Sequence, residues 1–110
     1  MFDLTRFDIA LFQESAGRAA SLLRLIGNEN RLMILCQLVG TELSVGELQR
    51  RVGLSQSALS QHLALLREEG TVSTRRESQT IYYRIADENV LRIIETIADL
   101  FCPPEMRTAT

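Results

Sequence analysis

The sequence has no lysine, a single histidine, two prolines and two cysteines among its 110 residues. The lone His62 has no second histidine for a metal site. It also lies away from any cysteine it might activate, so an enzyme built on a thiol nucleophile and its base is set aside. Long apolar runs are missing too. The most apolar uncharged stretch, Leu32 to Thr41, is bounded by Arg31 and Glu42 and is too short to cross a bilayer. No basic leader or small-residue cleavage site precedes the folded part. Asp3 and Asp8 stand there instead, so no secretory signal and no membrane partner are expected. A cytoplasmic location follows, where thiols are held reduced, and a static structural disulfide is a poor default for Cys36 and Cys102. Repeats, low-complexity tracts and linkers are likewise lacking, which leaves one domain over residues 1–110.

Net charge is small as well, at −2, which alone argues against a nucleic-acid partner. Its distribution argues the other way. Residues 44–86 carry six arginines against four acids, whereas residues 87–110 carry two against five. A basic middle and an acidic tail suit a chain of which only the middle faces phosphate. All twelve basic residues are arginine, the side chain suited to bidentate contacts with phosphate or guanine.

Periodicity makes the chain mainly α with one β-hairpin. A first helix is predicted over Phe7 to Ile26, with Ile9, Phe12, Ala16, Ala19, Leu22, Leu23 and Ile26 at helical spacing; Gly27-Asn28 breaks it. A second is predicted over Glu29 to Val39, with Leu32, Leu35, Cys36 and Val39 on one face and Gly40 closing it. Ser44-Val-Gly-Glu47 is a capping box that opens a third helix, ending near Arg51. Val52-Gly53-Leu54 forms a turn, and Ser55 caps a fourth helix over about 56–69. Residues 72–85 form a hairpin with Ser78-Gln79 at its tip. Asp87 caps a last helix reaching about Cys102, where Pro103-Pro104 prevents continuation. Val90, Leu91, Ile93, Ile94, Ile97, Ala98, Leu100 and Phe101 wrap more of that helix than one packing partner covers, and a second copy of the chain is the simplest cover. The order describes a winged helix-turn-helix.

The fourth helix leads with Ser55, Gln56, Ser57, Ser60, Gln61 and His62, and short polar side chains near a helix N-terminus can reach base edges in a major groove. The glutamines suit adenine, and the serines suit bases or phosphate. Arg75 and Arg76 in the hairpin are the expected phosphate or minor-groove contacts, with Gln79 at the tip beside them. Alone, the Ser/Gln face reads equally as a solvated helix surface. The capping box, turn and basic hairpin that accompany it point to double-stranded DNA. His62 reads first as a half-buried residue at the back of this helix, then as a phosphate contact, and last as a metal ligand.

Leu-Ser-Val-Gly-Glu-Leu (43–48), Leu-Ser-Gln-Ser-Ala-Leu-Ser-Gln-His-Leu (54–63), Leu-Arg-Glu-Glu-Gly (66–70) and Gln-Thr-Ile-Tyr-Tyr-Arg (79–84) resemble the ArsR/SmtB family of dimeric repressors, over nearly all of Ala20 to Pro103. The resemblance implies a homodimer formed by the first and last helices, and a pseudo-palindromic DNA operator read by the fourth. Metal-sensing members carry a Cys-x-Cys in the third helix or Asp/His ligand pairs in the last. Here those positions read Ser44-Val45-Gly46 and hold no histidine, so neither a metal nor any other cofactor is expected. Ile34-Leu35-Cys36 and Leu100-Phe101-Cys102 are instead similar to the persulfide-sensing branch. That likeness implies that Cys36 and Cys102 are sensing thiols, bridged by a reactive sulfur or oxidant inducer that lowers DNA affinity. The competing reading is a metal-responsive or constitutive regulator whose cysteines are structural, because cysteine is often buried and Cys36 lies on an apolar helix face.

Overall fold

The computed structural model describes residues 8–102. Along the chain come α1 (Ile9–Ile26), α2 (Glu29–Gln37), β1 (Leu43–Ser44), α3 (Val45–Val52), α4 (Gln56–Glu68), β2 (Val72–Glu77), β3 (Thr80–Ile85) and α5 (Glu88–Phe101). The expected helix start at Phe7 and the stop at Pro103-Pro104 lie outside the described residues.

Each helix opens on a side chain that satisfies an amide its first turn leaves unpaired. Asp8, Asn28, Ser44, Ser55 and Asp87 accept from Leu11, Arg31, Glu47, Ala58 and Asn89 respectively. At α3 the box is complete, since Glu47 also accepts from the Ser44 amide at 2.9 Å. Arg31 closes the preceding helix end: its Nε donates to the Leu25 carbonyl at 2.6 Å and an Nη to that of Arg24. The turn between α3 and α4 passes through Gly53 at φ +71°, a left-handed conformation that side-chain-bearing residues rarely adopt.

A single core collects leucines and isoleucines from every element except the outer part of α1. Ile34, Leu35 and Leu38 enter from α2 and its end, Leu48 from α3, Leu59, Leu63 and Leu66 from α4, and Val90 and Ile94 from α5. The buried face of α2 is therefore rotated from the expected one. Ile34 and Leu38 point inward with Leu35, while Leu32, Cys36 and Val39 pack at the margin. The helix also stops at Gln37, two residues early.

The hairpin has the expected strands, and β3 carries a further partner: Leu43 pairs with Tyr83 and Ser44 with Tyr82, giving a three-stranded antiparallel sheet ordered β1-β3-β2. At its tip Ser78 has φ +56°, a value usually left to glycine. Arg76 Nε donates to the Ser78 carbonyl at 3.0 Å and steadies that turn.

Among the described residues, apolar surface is most open on α1 and α5, with Met33 of α2 and Ile81 of β3 also exposed. Ile9, Leu11, Phe12 and Leu23 of α1 are exposed, as are Leu100 and Phe101 of α5, at 70% and 78%. No helix among the described residues is long and apolar enough to cross a membrane.

Candidate nucleic-acid interface and thiol pair

One side of α4 is committed to the core by Leu59, Leu63 and Leu66, spaced so that they share a face. The helix therefore turns its other side outward, and Ser55, Gln56, Ser57, Ser60 and Gln61 are all exposed. The expected polar surface is present as one contiguous stripe. His62 is half-buried beside Leu63, in line with the first of its three readings.

Strand alternation settles which hairpin residues share the α4 side. Val72 is buried, and Tyr83 sits with Ser60, Leu63, Ala64 and Arg67 in a shallow groove against α4. Thr74, Arg76 and Ile81 lie on that same sheet face by register, with Arg76 opposite Ile81 near the tip. Arg75, opposite Tyr82, lies on the reverse face with Glu77. There its Nε donates to Glu42 at 2.9 Å and an Nη to Glu77 at 3.0 Å, while its guanidinium sits 4.6 Å from the centre of the Tyr82 ring. These bonds strengthen the hold on its proton and push its pKa up, with Glu42 the larger cause. The two arginines expected as phosphate or minor-groove contacts therefore face apart: Arg76 lies on the α4 side, and Arg75, itself exposed, is paired with two carboxylates on the reverse face. Gln79 is exposed at the tip.

Glu42 was not singled out by its sequence. It stands 33 residues from Arg75, in a connection with no recognisable pattern, and only the pairing of β1 with β3 brings the two together.

The two cysteines come from helices that pack on each other. Cys36 lies in the last turn of α2 at the core margin, and Cys102 is the C-cap of α5, its amide donating to the Ala98 carbonyl. Both are half-buried, and neither is joined in a disulfide. Burial pushes the Cys36 thiol up from its ordinary 9.0, and the neighbouring Cys102 pushes it further. The packing of α2 on α5 brings the two residues to neighbouring elements of one chain. A raised value means that little thiolate exists near neutral pH, so Cys36 reactivity should keep climbing with base. In a Cys102→Ser variant, burial, the larger cause, remains. Iodoacetamide alkylation of Cys36 is expected to accelerate about tenfold per pH unit from pH 7 to 9. A plateau near neutrality in stopped-time mass spectra would mean an activated thiolate instead.

Among the described residues, no three His, Cys, Asp or Glu side chains gather where they could hold a metal ion.

A helix with an exposed polar stripe, set beside a hairpin with a basic tip on a shared core, defines a winged helix-turn-helix transcription regulator. Residues 28–74 match the model of the bacterial regulatory protein, arsR family. The chain is 50% identical over 90 residues to the transcriptional activator HlyU of Vibrio cholerae, covering 82% of this chain and 83% of that one. It is 40% identical over 103 residues to the biofilm growth-associated repressor of Agrobacterium fabrum, covering 94% and 88%. The solved structure of reduced HlyU from Vibrio cholerae superposes with a TM-score of 0.83 at 47% identity, over 86% of this chain and all of that one. This protein belongs to the arsR family of transcriptional regulators. Its relatives are named as regulators rather than enzymes, and both activator and repressor occur among them.

Proposed function

We propose that the protein is a homodimeric DNA-binding regulator, most simply a repressor, whose affinity for a pseudo-palindromic operator falls when reactive sulfur species or oxidants join Cys36 to Cys102. The supporting observation is that the two half-buried cysteines sit on α2 and at the end of α5, helices that pack on each other in one chain. Ser55, Gln56, Ser57, Ser60, Gln61 and His62 of α4 address the major groove, and Arg76 and Gln79 address the flanking backbone or minor groove. The open apolar surfaces of α1 and α5 are the natural contact between subunits.

The chemistry needs no oxidant beyond the inducer. A protein thiolate takes the outer sulfur of a small persulfide and expels that molecule's thiol, leaving a cysteine persulfide. When both cysteines carry one, the terminal sulfur of one is lost as hydrogen sulfide. The remaining three sulfurs link Cys36 to Cys102. Peroxide would join the same pair as a plain disulfide, with two hydrogens leaving the protein as peroxide is reduced to water. Either bridge ties α2 to the end of α5. Because α5 carries the proposed subunit contact, the spacing of the two α4 helices changes, and half-sites one helical turn apart fall out of register.

Cys36→Ser and Cys102→Ser are expected to bind operator DNA like the parent when reduced. The parent should lose about 5–150-fold in affinity after glutathione persulfide, the range of ordinary allosteric coupling, and neither variant should respond. Intact mass on the same samples should show added sulfur retained on one parent chain. A variant that still loses DNA on treatment would remove the dithiol mechanism. Loss of affinity caused by zinc in the reduced parent would favour a metal-responsive regulator with structural cysteines.

A further inference from the structure

Arg75 and Arg76 are neighbours in sequence and opposites in setting. On the reverse face of the hairpin, Arg75 meets two carboxylates from different places, one within β2 and one from the connection ahead of β1. Nε and an Nη both donate to the same oxygen of Glu42, and the other Nη donates to Glu77. The ring of Tyr82 lies beneath the guanidinium. Three of the five N–H donors are thus engaged, and Arg84, on the same sheet face by register and within electrostatic reach of Glu42, balances the second carboxylate, so the patch carries no net positive charge. Arginines neutralised in this way add nothing to the attraction of a phosphate backbone, so the pairing calls for a role.

We propose that Glu42 is a positioning residue for DNA binding: with Glu77 and Tyr82 it clamps Arg75 to the outer face of the hairpin and withholds that cation from phosphate. This rests on the DNA-binding reading of the fold. The clamp partners are partly exposed, with side chains 47% accessible at Arg75, 33% at Glu42 and 66% at Glu77. Ion pairs in such settings are weak and yield to salt or to a competing anion. Arg75 is therefore a reserve cation: a phosphate takes its two-donor Nε/Nη edge only by displacing Glu42, which lowers affinity relative to an unclamped hairpin. The hydrogen bond from Arg75 also holds the Glu42 carboxyl below its usual range, so the clamp stays charged at neutral pH. Because Glu42 follows α2 within the connection to β1, the clamp also fastens the hairpin to the segment that leaves the Cys36 helix.

The test is a double-mutant cycle of E42Q and R75Q, read by fluorescence anisotropy on a labelled mixed-sequence DNA duplex across a salt series. E42Q is expected to bind roughly three- to tenfold more tightly, with a log–log salt slope steeper by about one, the signature of one added phosphate contact. In the R75Q background the same substitution should give neither change, because the cation it releases is gone. An equal gain in both backgrounds would reduce Glu42 to general repulsion and overturn the clamp. Weaker binding by E42Q would make the ion pair a structural brace and overturn it too. Salt-dependent binding by the parent with a flat cycle removes the clamp alone. A parent that binds no duplex at any salt removes the DNA-binding reading, and the clamp with it.

Discussion

Replacing Leu59 by alanine should lower the melting temperature by about 10–20 °C while leaving every exposed residue of α4 in place. Leu59 is fully buried, in the same helix as the polar stripe and on its opposite side. Truncation removes three carbons from a core shared by α2, α3, α5 and the sheet. The surrounding backbone cannot close the gap without moving an element on which the others rest. Buried leucine-to-alanine changes cost about 2–5 kcal/mol through lost transfer energy and a residual cavity. In a chain of 110 residues each kcal/mol corresponds to roughly 4 °C. Leu59 is the sharper choice over Leu35, because Leu35 adjoins Cys36 and would disturb the thiol pair as well. Calorimetry at fixed protein concentration is the measurement, since self-association would otherwise shift the midpoint. A drop of only a few degrees would mean that α4 is held by something other than this core, and the assignment of its two faces would have to be reversed.

That division of α4 into faces was legible in the sequence because its leucines recur at helical spacing while serine and glutamine fill the intervening positions. The hairpin was legible to the residue, since valine, threonine, isoleucine and tyrosine cluster on either side of Ser78-Gln79. In α2 the same reasoning chose the wrong face. Leu32, Leu35, Cys36 and Val39 have helical spacing, but so do Ile34, Leu35 and Leu38. With apolar residues around most of the helix, only the position of the core decides between them. The consequence bears on function: Cys36 lies at the rim of the core rather than within it, on a helix that packs against the one ending at Cys102. The hairpin arginines show a different gap. Composition marks Arg75 and Arg76 alike as basic, and strand alternation shows that they must face apart. That Arg75 is met by Glu42 depends on a two-residue strand, β1, which is too short to leave a periodic signal.

Changing Ser57 and Gln61 together to alanine should reduce affinity for the operator by roughly 100-fold or more, because a well-made base contact is worth about 1–3 kcal/mol of discrimination. The two residues lie one turn apart on the same ridge of α4, both exposed, within the part of the helix proposed above to enter the major groove. Neither contributes to the core, and alanine is the better helix former, so the melting temperature should hold within a degree or two of the parent. Binding to a mixed-sequence duplex should be nearly unchanged, with the same salt slope, because the phosphate contacts come from arginines the variant keeps. The pattern separates three possibilities in one titration series. Loss on the operator alone assigns base readout to this stripe. Equal loss on operator and mixed duplex would turn Ser57 and Gln61 into backbone contacts, moving sequence discrimination to Gln56, Ser60 or the hairpin tip. No loss on either would leave α4 as a solvated helix, and the polar stripe, for all its order, would have no part in recognising DNA.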